Sequence, residues 1–207
     1  MISNMTNFDK LVVYFEKFPG VGVRQAKRFA FHILTMKQEQ VVELADLISS
    51  LSRSVTECAS CHRFFSNSQA TICPICNDVN RDSHKLLVVA SDNDIQAIER
   101  SGVYNGLYFV LGGTVPLLSK ETEQRLRGGA LKATVLERSQ NASLEVILGF
   151  AINPDGENTA RYLESLLTEF TSVEKIKISH LGRGLSTGSE LEYADAETIK
   201  SALRNRV

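Results

Sequence analysis

No apolar run in the 207 residues approaches the roughly 20 needed to cross a bilayer, which excludes a membrane-spanning helix. The opening "MISNMTNFDKLVVYF" lacks a basic segment ahead of its short apolar stretch, so it does not read as a signal peptide. Net charge is missing too. With 23 Lys and Arg against 24 Asp and Glu the formal charge is −1, so nothing pulls the whole chain toward nucleic acid or a membrane surface. Any binding of a polyanion must come from local clustering of charge. Cysteine is absent everywhere except between residues 58 and 76, and nothing else suggests an oxidising compartment. What remains is ordinary for a globular chain, 43% hydrophobic and 23% charged, and long enough to bury a sizeable core. A folded, cytoplasmic protein is expected.

The four cysteines form two tight pairs, "CASC" (Cys58, Cys61) and "CPIC" (Cys73, Cys76). Each C-x2-C turn aims two thiolates at one ion, and the intervening loop brings the pairs together, as a tetrahedral Zn²⁺ site requires. Two disulfides would suit an oxidising compartment, and a redox C-x2-C would not explain the doubling. The spacing predicts one structural Zn²⁺ per chain, with four thiolates closing its coordination sphere. His62 is expected at the surface, not as a fifth ligand.

Residues 1–54 read as helices. "FDKLVVYFEK" (8–17) is followed by the turn Pro19-Gly20-Val21-Gly22 and a helix whose Val23, Ala26, Ala30, Ile33 and Leu34 form a core-facing stripe. A third helix, 38–54, carries Val41, Leu44, Ala45, Ile48 and Leu51 on one face. Between Lys17 and Gln38 lie Lys17, Arg24, Lys27, Arg28 and Lys37, with no acidic residue. Gly20 and Gly22 let a ligand approach the backbone where a helix start favours an anion. Lys17, Arg24, Lys27 and Arg28 flank that turn and could meet neighbouring phosphates. The motif "PGVGVRQAKRFA" looks like a helix-hairpin-helix. The plainer alternative is a tight interhelical turn with a solvated basic face, but the flanking bases favour DNA contact that positions phosphates without reading bases.

After a polar linker at 77–84, strands and helices alternate: strands at 86–90, 107–111, 144–150 and 175–179, helices at 94–101, about 120–138 (interrupted at Gly128-Gly129) and 157–170. Apolar strands alternating with helices predict an α/β unit whose parallel sheet is covered on both faces. Ligands in such sheets sit beyond the carboxyl ends of the strands, where "ASDND" and "INPDGEN" lie. Asp92, Asp94 and Glu157 there are expected to cap helix starts. His32 and His180 lack nearby nucleophiles or metal partners and are expected to be structural. The glycines of "GRGLSTGSE" lack the Lys-Ser/Thr of a phosphate loop, and a connecting turn is expected.

Taken in order, the glycine hairpin, the four-cysteine element, "VVASDNDIQAIER", "GLYFVLGG" and the tail "HLGRGLSTGSELEYADAETIKSALRNR" resemble the RecR family of bacterial recombination mediators along nearly the whole chain. The resemblance implies a helix-hairpin-helix region (1–54), a four-cysteine zinc finger (55–80), a Toprim domain (81–180) and a C-terminal segment with a helix (181–207) that meets a neighbouring subunit. It also implies a tetrameric ring around duplex, gapped or single-stranded DNA, acting with RecO and RecF to load recombinase near the nucleoid, without enzymatic activity.

The departures bear on chemistry. Toprim enzymes end the first strand on Glu and place Asp-x-Asp after the third, so that carboxylates hold Mg²⁺. RecR proteins usually keep that Glu in a V-V-E pattern. Here it is Ala90, and the later loop reads Asn153-Pro154-Asp155. Mg²⁺ prefers hard oxygen ligands, usually carboxylates, and Ala90 and Asn153 leave Asp155 as the one carboxylate at those positions, a poor site; a metal-dependent enzyme would have to draw on Asp92, Asp94, Asp155 and Glu157. Residues 112–140 also differ from the family's Gly-Pro-containing stretch, which touches its expected subunit contacts. A mediator is therefore favoured over a Mg²⁺-dependent Toprim enzyme acting on nucleic acid, and over a zinc protein that never meets DNA.

Overall fold

The computed structural model describes residues 5–66, 69–117, 126–140, 142–171, 175–182, 185, 188, 190–194 and 196–204. The chain divides into two compact units, Met1–Val55 and Thr56–Val207.

The first unit is helical: α1 (Asn7–Glu16), α2 (Val23–Thr35) and α3 (Gln38–Ser54). Thr6 starts α1 through a capping box, its hydroxyl accepting from the Asp9 amide at 3.2 Å while Asp9 accepts from the Thr6 amide at 3.2 Å. Helices α1 and α2 pack through Val12, Ala26 and Ala30, with Phe8, Leu11, Phe15 and Val21 around them. The small alanines let the two backbones come close. Only Ala26 and Ala30 of the expected α2 stripe are buried; Val23 and Leu34 are exposed. Helix α3 has no buried residue, and its Leu44, Ile48 and Leu51 face solvent. Periodicity marks an apolar face but not what covers it, so neither stripe becomes core along its full length.

The second unit opens with a short antiparallel ribbon, β1 (Thr56–Glu57) and β2 (Phe64–Phe65), and a helical turn, α4 (Pro74–Asn77). Then come β3 (Asp82–Val89), α5 (Asp92–Ser101), β4 (Gly106–Val110), α6 (Gly128–Ser139), β5 (Leu144–Gly149), α7 (Pro154–Thr171), β6 (Ile176–His180), a 3-10 turn (Leu191–Tyr193) and α8 (Ala196–Arg204). The four long strands form a fully parallel sheet in the order β4-β3-β5-β6. Strand parity divides the core. Leu86, Val88, Leu107, Phe109, Val146 and Leu148 pack with Leu131 and Val135 of α6 and Leu163 and Leu167 of α7. Leu87, Val89, Tyr108 and Val110 pack with Ile95 of α5 and with Phe65 and Ile75 of the cysteine element. The expected α/β architecture is present: a helical N-terminal region, a four-cysteine cluster, a parallel sheet with helices, and a C-terminal helix.

Three boundaries differ most, each for a local reason. The expected linker at 77–84 ends early, because Asp82 joins β3 and its amide donates to the Asn105 carbonyl at 2.7 Å, with an irregularity in register before Leu86. Helix α6 starts at Gly128, where a Cβ would lie 2.7 Å from the Tyr162 hydroxyl of α7; residues 118–125 of the expected longer helix fall outside the described residues. Helix α7 begins at Pro154, three residues early, since the Asn153 side chain accepts from the Gly156 amide at 2.8 Å and proline fits the first helical position.

Candidate metal and DNA-contact sites

The four cysteines converge. Their sulfurs all lie within 4.8 Å of one another, and no other group of three or more candidate ligands does so among the described residues. Cys58, Cys61 and Cys73 are fully buried and Cys76 partly so. The Cys61 and Cys73 sulfurs stand 3.7 Å apart. That is too long for a disulfide, whose sulfurs sit about 2.0 Å apart. It matches the edge of about 3.8 Å that four metal–sulfur bonds of about 2.3 Å give a tetrahedron. Local backbone supports the thiolates: the Cys73 amide donates to Cys58 Sγ at 3.3 Å and the Cys76 amide to Cys73 Sγ at 3.5 Å. Pro74 at the first position of α4 leaves Cys73 as its cap. With no cation among them, the hydrogen bond between Cys61 and Cys73 favours one ionised and one protonated sulfur in the pair. Four clustered thiols, three of them fully buried, cannot all ionise side by side unless a cation sits among them. The residues fit a closed tetrahedral metal site.

This element is fastened to the sheet. The Val110 amide donates to the Cys61 carbonyl at 2.8 Å, and Arg138 of α6 reaches the Ser60 hydroxyl at 3.3 Å. His62 is not the plain surface residue expected. It adopts a left-handed φ of 61°, its Nδ1 lies 2.7 Å from Glu57, and its ring meets Phe109 edge-on at 5.1 Å. Glu57 also pairs with Arg127 at 3.3 Å, and the His62 hydrogen bond first, then Arg127, holds its carboxyl below the usual range.

The carboxyl edge of the sheet is occupied by structural contacts. The Ala90 carbonyl accepts from the Gly112 amide at 3.1 Å, and the Arg127 guanidinium lies against Gly112 while donating to the Val110 carbonyl at 3.3 Å. Asp94 closes a capping box, accepting from the Ser91 amide at 2.8 Å. Asp92 lies in the first turn of α5 and accepts from the Phe64 amide at 2.8 Å. Asp155 accepts from the Leu117 amide at 3.1 Å, and Glu157 pairs with Arg161 at 3.7 Å. Glu157 also lines a cleft of about 230 Å³ with Phe150, Ile152, His180 and Leu181, a largely apolar wall unlike a Mg²⁺ shell. His180 bonds Glu164 of α7 at 2.8 Å, and His32 is exposed at the end of α2. In the tail "GRGLSTGSE", residues 183, 184, 186, 187 and 189 lie outside the described residues.

In the helical unit, Gly20 has φ +75° and Gly22 is the N-cap of α2 with no side-chain cap. A Cβ at either glycine would meet nothing within 4 Å, so the turn is open. The first amides of α2 are thus uncapped beside a clear surface. Arg24, Lys27 and Arg28 are exposed on α2, and Lys17 lies over the Tyr14 ring at 4.8 Å from its centre. Arg28 reaches Gln25 at 3.4 Å, and no ion pair engages Arg24, Lys27 or Arg28 among the described residues.

One contact system carries no sequence signal. Arg81 grips Glu99 with two hydrogen bonds, at 2.5 and 2.8 Å, and the Tyr108 hydroxyl donates to the same carboxylate at 2.6 Å. The Arg81 contact first holds Glu99 below the usual carboxylate range, and burial pushes the Tyr108 hydroxyl above its own. It joins residues 18 and 9 positions apart, which no local pattern reports.

Profiles of known families match along the chain. One described as RecR, helix-hairpin-helix covers residues 8–51, a Toprim domain covers 84–181, and one described as RecR, C-terminal covers 184–207. Among curated proteins, a Recombination protein RecR of Dehalococcoides mccartyi is 36% identical over 198 residues, covering 96% of this chain and 92% of its own. The Psychrobacter cryohalolentis protein of the same name is 34% identical over 199 residues, covering 96% of each. That of Staphylococcus aureus strain Newman is 36% identical over 198 residues, covering 95% and 94%. No helix among the described residues is long and apolar enough to cross a membrane.

Proposed function

The chain belongs to the RecR family of recombination proteins, and from that premise we propose that it is a non-enzymatic DNA-binding mediator of recombinational repair. The observation that carries this reading is the open glycine turn. Uncapped amides at the start of α2 and the charges of Arg24, Lys27 and Arg28, which make no ion pair among the described residues, meet on one small surface. A phosphate at Gly20 and Gly22 accepts those amides in the favourable end of the helix dipole. Lys17 and the α2 bases then neutralise adjacent phosphates, which fixes the backbone without reading sequence. Zn²⁺ held by Cys58, Cys61, Cys73 and Cys76 supplies structure only, because four thiolates leave no open position.

The Toprim sheet acts as scaffold. With Ala90 at the end of its first strand and Asp92, Asp94, Asp155 and Glu157 each engaged elsewhere, no carboxylate cluster among the described residues offers itself to Mg²⁺. Family membership supports the wider assembly: a homo-oligomer, a tetrameric ring, that encloses duplex, gapped or single-stranded DNA and works with RecO- and RecF-type proteins to load recombinase in the cytoplasm. The C-terminal segment 181–207 supplies a subunit contact in that assembly.

The test is binding to gapped duplex across a salt series. The logarithm of affinity falls linearly with the logarithm of salt, and Arg24→Glu with Lys27→Glu lowers both affinity and slope. Unchanged binding in the double variant removes the hairpin from the reading. Mg²⁺-dependent cleavage, relaxation or synthesis that disappears in Asp155→Ala would instead establish an enzyme.

A further inference from the structure

We propose that Phe31 is a stacking surface for the bases of single-stranded DNA, placed on the phosphate-binding face of α2. Arg24, Lys27, Arg28 and Phe31 follow one another at i, i+3, i+4 and i+7, and all four are exposed. The buried face of the same helix, Ala26 and Ala30, points away from them. Phe31 is 59% exposed although it is a phenylalanine. Its inner side is supported by Phe8 of α1, ring centres 4.8 Å apart and tilted by 51°. The ring is therefore held in place from behind and open in front.

An aromatic ring within a basic stripe has a specific use. Inside a duplex the base faces are stacked on one another, and a basic surface meets only phosphates. A single strand offers its base faces, and base–aromatic stacking adds sequence-tolerant affinity to the electrostatic contact. Arg24 and Phe31 lie about 10 Å apart along the helix axis, a span that a few nucleotides cover. Phosphates at the glycine turn and the α2 bases fix the strand's direction, and a base further along meets Phe31. A second copy of this chain is a poorer occupant for this face. Arg24, Lys27 and Arg28, with no acidic residue between Lys17 and Gln38 to offset them, would repel their own image across a symmetric contact. This proposal rests on the phosphate contact argued above, and it adds a preference for single-stranded over duplex DNA at that site.

The chain has no tryptophan, so Phe31→Trp installs a single fluorescent reporter in the full-length protein. Its emission is expected to be quenched by an oligothymidylate and not by a duplex of equal length. Phe31→Leu keeps apolar bulk but removes the ring, and is expected to weaken oligothymidylate binding roughly 5- to 150-fold. Duplex affinity and the mass of the protein in solution should stay as they are. Equal weakening of single-stranded and duplex binding, a changed mass, or no effect on single strands overturns stacking. If Phe31→Leu has no effect while Arg24→Glu with Lys27→Glu abolishes binding, the phosphate contact stands without the stacking. Unchanged binding in that charge-reversed variant overturns both.

Discussion

The carboxylate of Asp92, in the first turn of α5, accepts a hydrogen bond from the backbone amide of Phe64, 28 residues earlier in the cysteine element. In a sheet of this kind an acidic residue just past the first strand invites a catalytic reading. Here it ties a cysteine-rich element of little regular structure to the edge of the sheet. The neighbouring Asp94 uses its Oδ2 on the start of its own helix, accepting from both the amide and the hydroxyl of Ser91. Two nearby carboxylates thus have different structural duties, and neither faces a common ligand.

Removing the tie should cost stability and nothing else. Asp92→Ala leaves the exposed Phe64 amide to water, at a cost of about 1 kcal/mol, which lowers Tm by about 2–4 °C in a chain of this size. Asp92→Asn retains the accepting oxygen and should melt close to the native protein. Thermal denaturation of the three proteins, with and without Mg²⁺, checks this. A Mg²⁺-dependent rise in Tm that vanishes in both variants would return Asp92 to metal binding.

The Arg81–Glu99–Tyr108 system sets a pH dependence. Because contact with Arg81 lowers the Glu99 carboxyl below its ordinary value, the folded state favours the charged form. Its contribution is present in full above the unfolded value of about 4.3 and is lost as pH falls through the lower, folded value. Glu99→Gln should cost about 1.5–3 kcal/mol at neutral pH, since the half-buried Arg81 loses its closer charged partner and keeps only Asp78 at 3.8 Å. The gap between native and variant stability should stay constant from pH 7 to about 5 and narrow below about 4.3. Denaturant titrations at several pH values measure it, and a gap that widens toward acid pH contradicts the assignment.

Much of this architecture is legible in the sequence because its signals are local. The apolar strands Leu86–Val89 and Leu107–Val110, the paired cysteines and the Gly20–Gly22 turn each announce themselves within a few residues. Contacts between distant segments are not visible that way. The Asp92 tether, the Glu57–Arg127–His62 system and the Arg81–Glu99 pair join residues with no shared pattern. The α3 face shows the opposite limit, since Leu44, Ile48 and Leu51 have core periodicity without becoming core. Asn153-Pro154 is a local signal that points two ways. The pair suits a loop, but an asparagine that accepts from an amide three residues on, followed by proline, starts a helix.

If the cysteine cluster holds the proposed Zn²⁺, its withdrawal should loosen more than the cysteine loops. Phe65 and Ile75 cover Leu87, Tyr108 and Val110, so a disordered element would bare one face of the sheet. A strong chelator is expected to release one Zn²⁺ per chain, lower Tm and raise binding of a dye that reports exposed apolar surface. Cys73→Ser should do the same without chelator, because Cys73 both contributes a thiolate and caps α4. Metal analysis beside the melting curves provides the check. An unchanged melt after complete metal release would show that the apolar contacts alone hold the element.

The glycine turn offers a substitution that should improve the fold and impair the function. Gly22 precedes α2 without a side-chain cap, and its backbone, at φ −87°, accommodates any residue. In Gly22→Ser the hydroxyl can accept from an amide of the first turn, stabilising the protein by about a few tenths of a kcal/mol over glycine. That amide is one the proposed phosphate would use, so affinity for gapped DNA should fall severalfold at a given salt concentration. Gly20→Ala separates the two effects. At φ +75° an alanine is strained by about 1 kcal/mol although its Cβ meets nothing. It should therefore lower Tm, where Gly22→Ser holds or raises it. A Gly22→Ser protein that melts higher and binds DNA as before would mean that the uncapped amides hold no phosphate, leaving only the side-chain charges of α2.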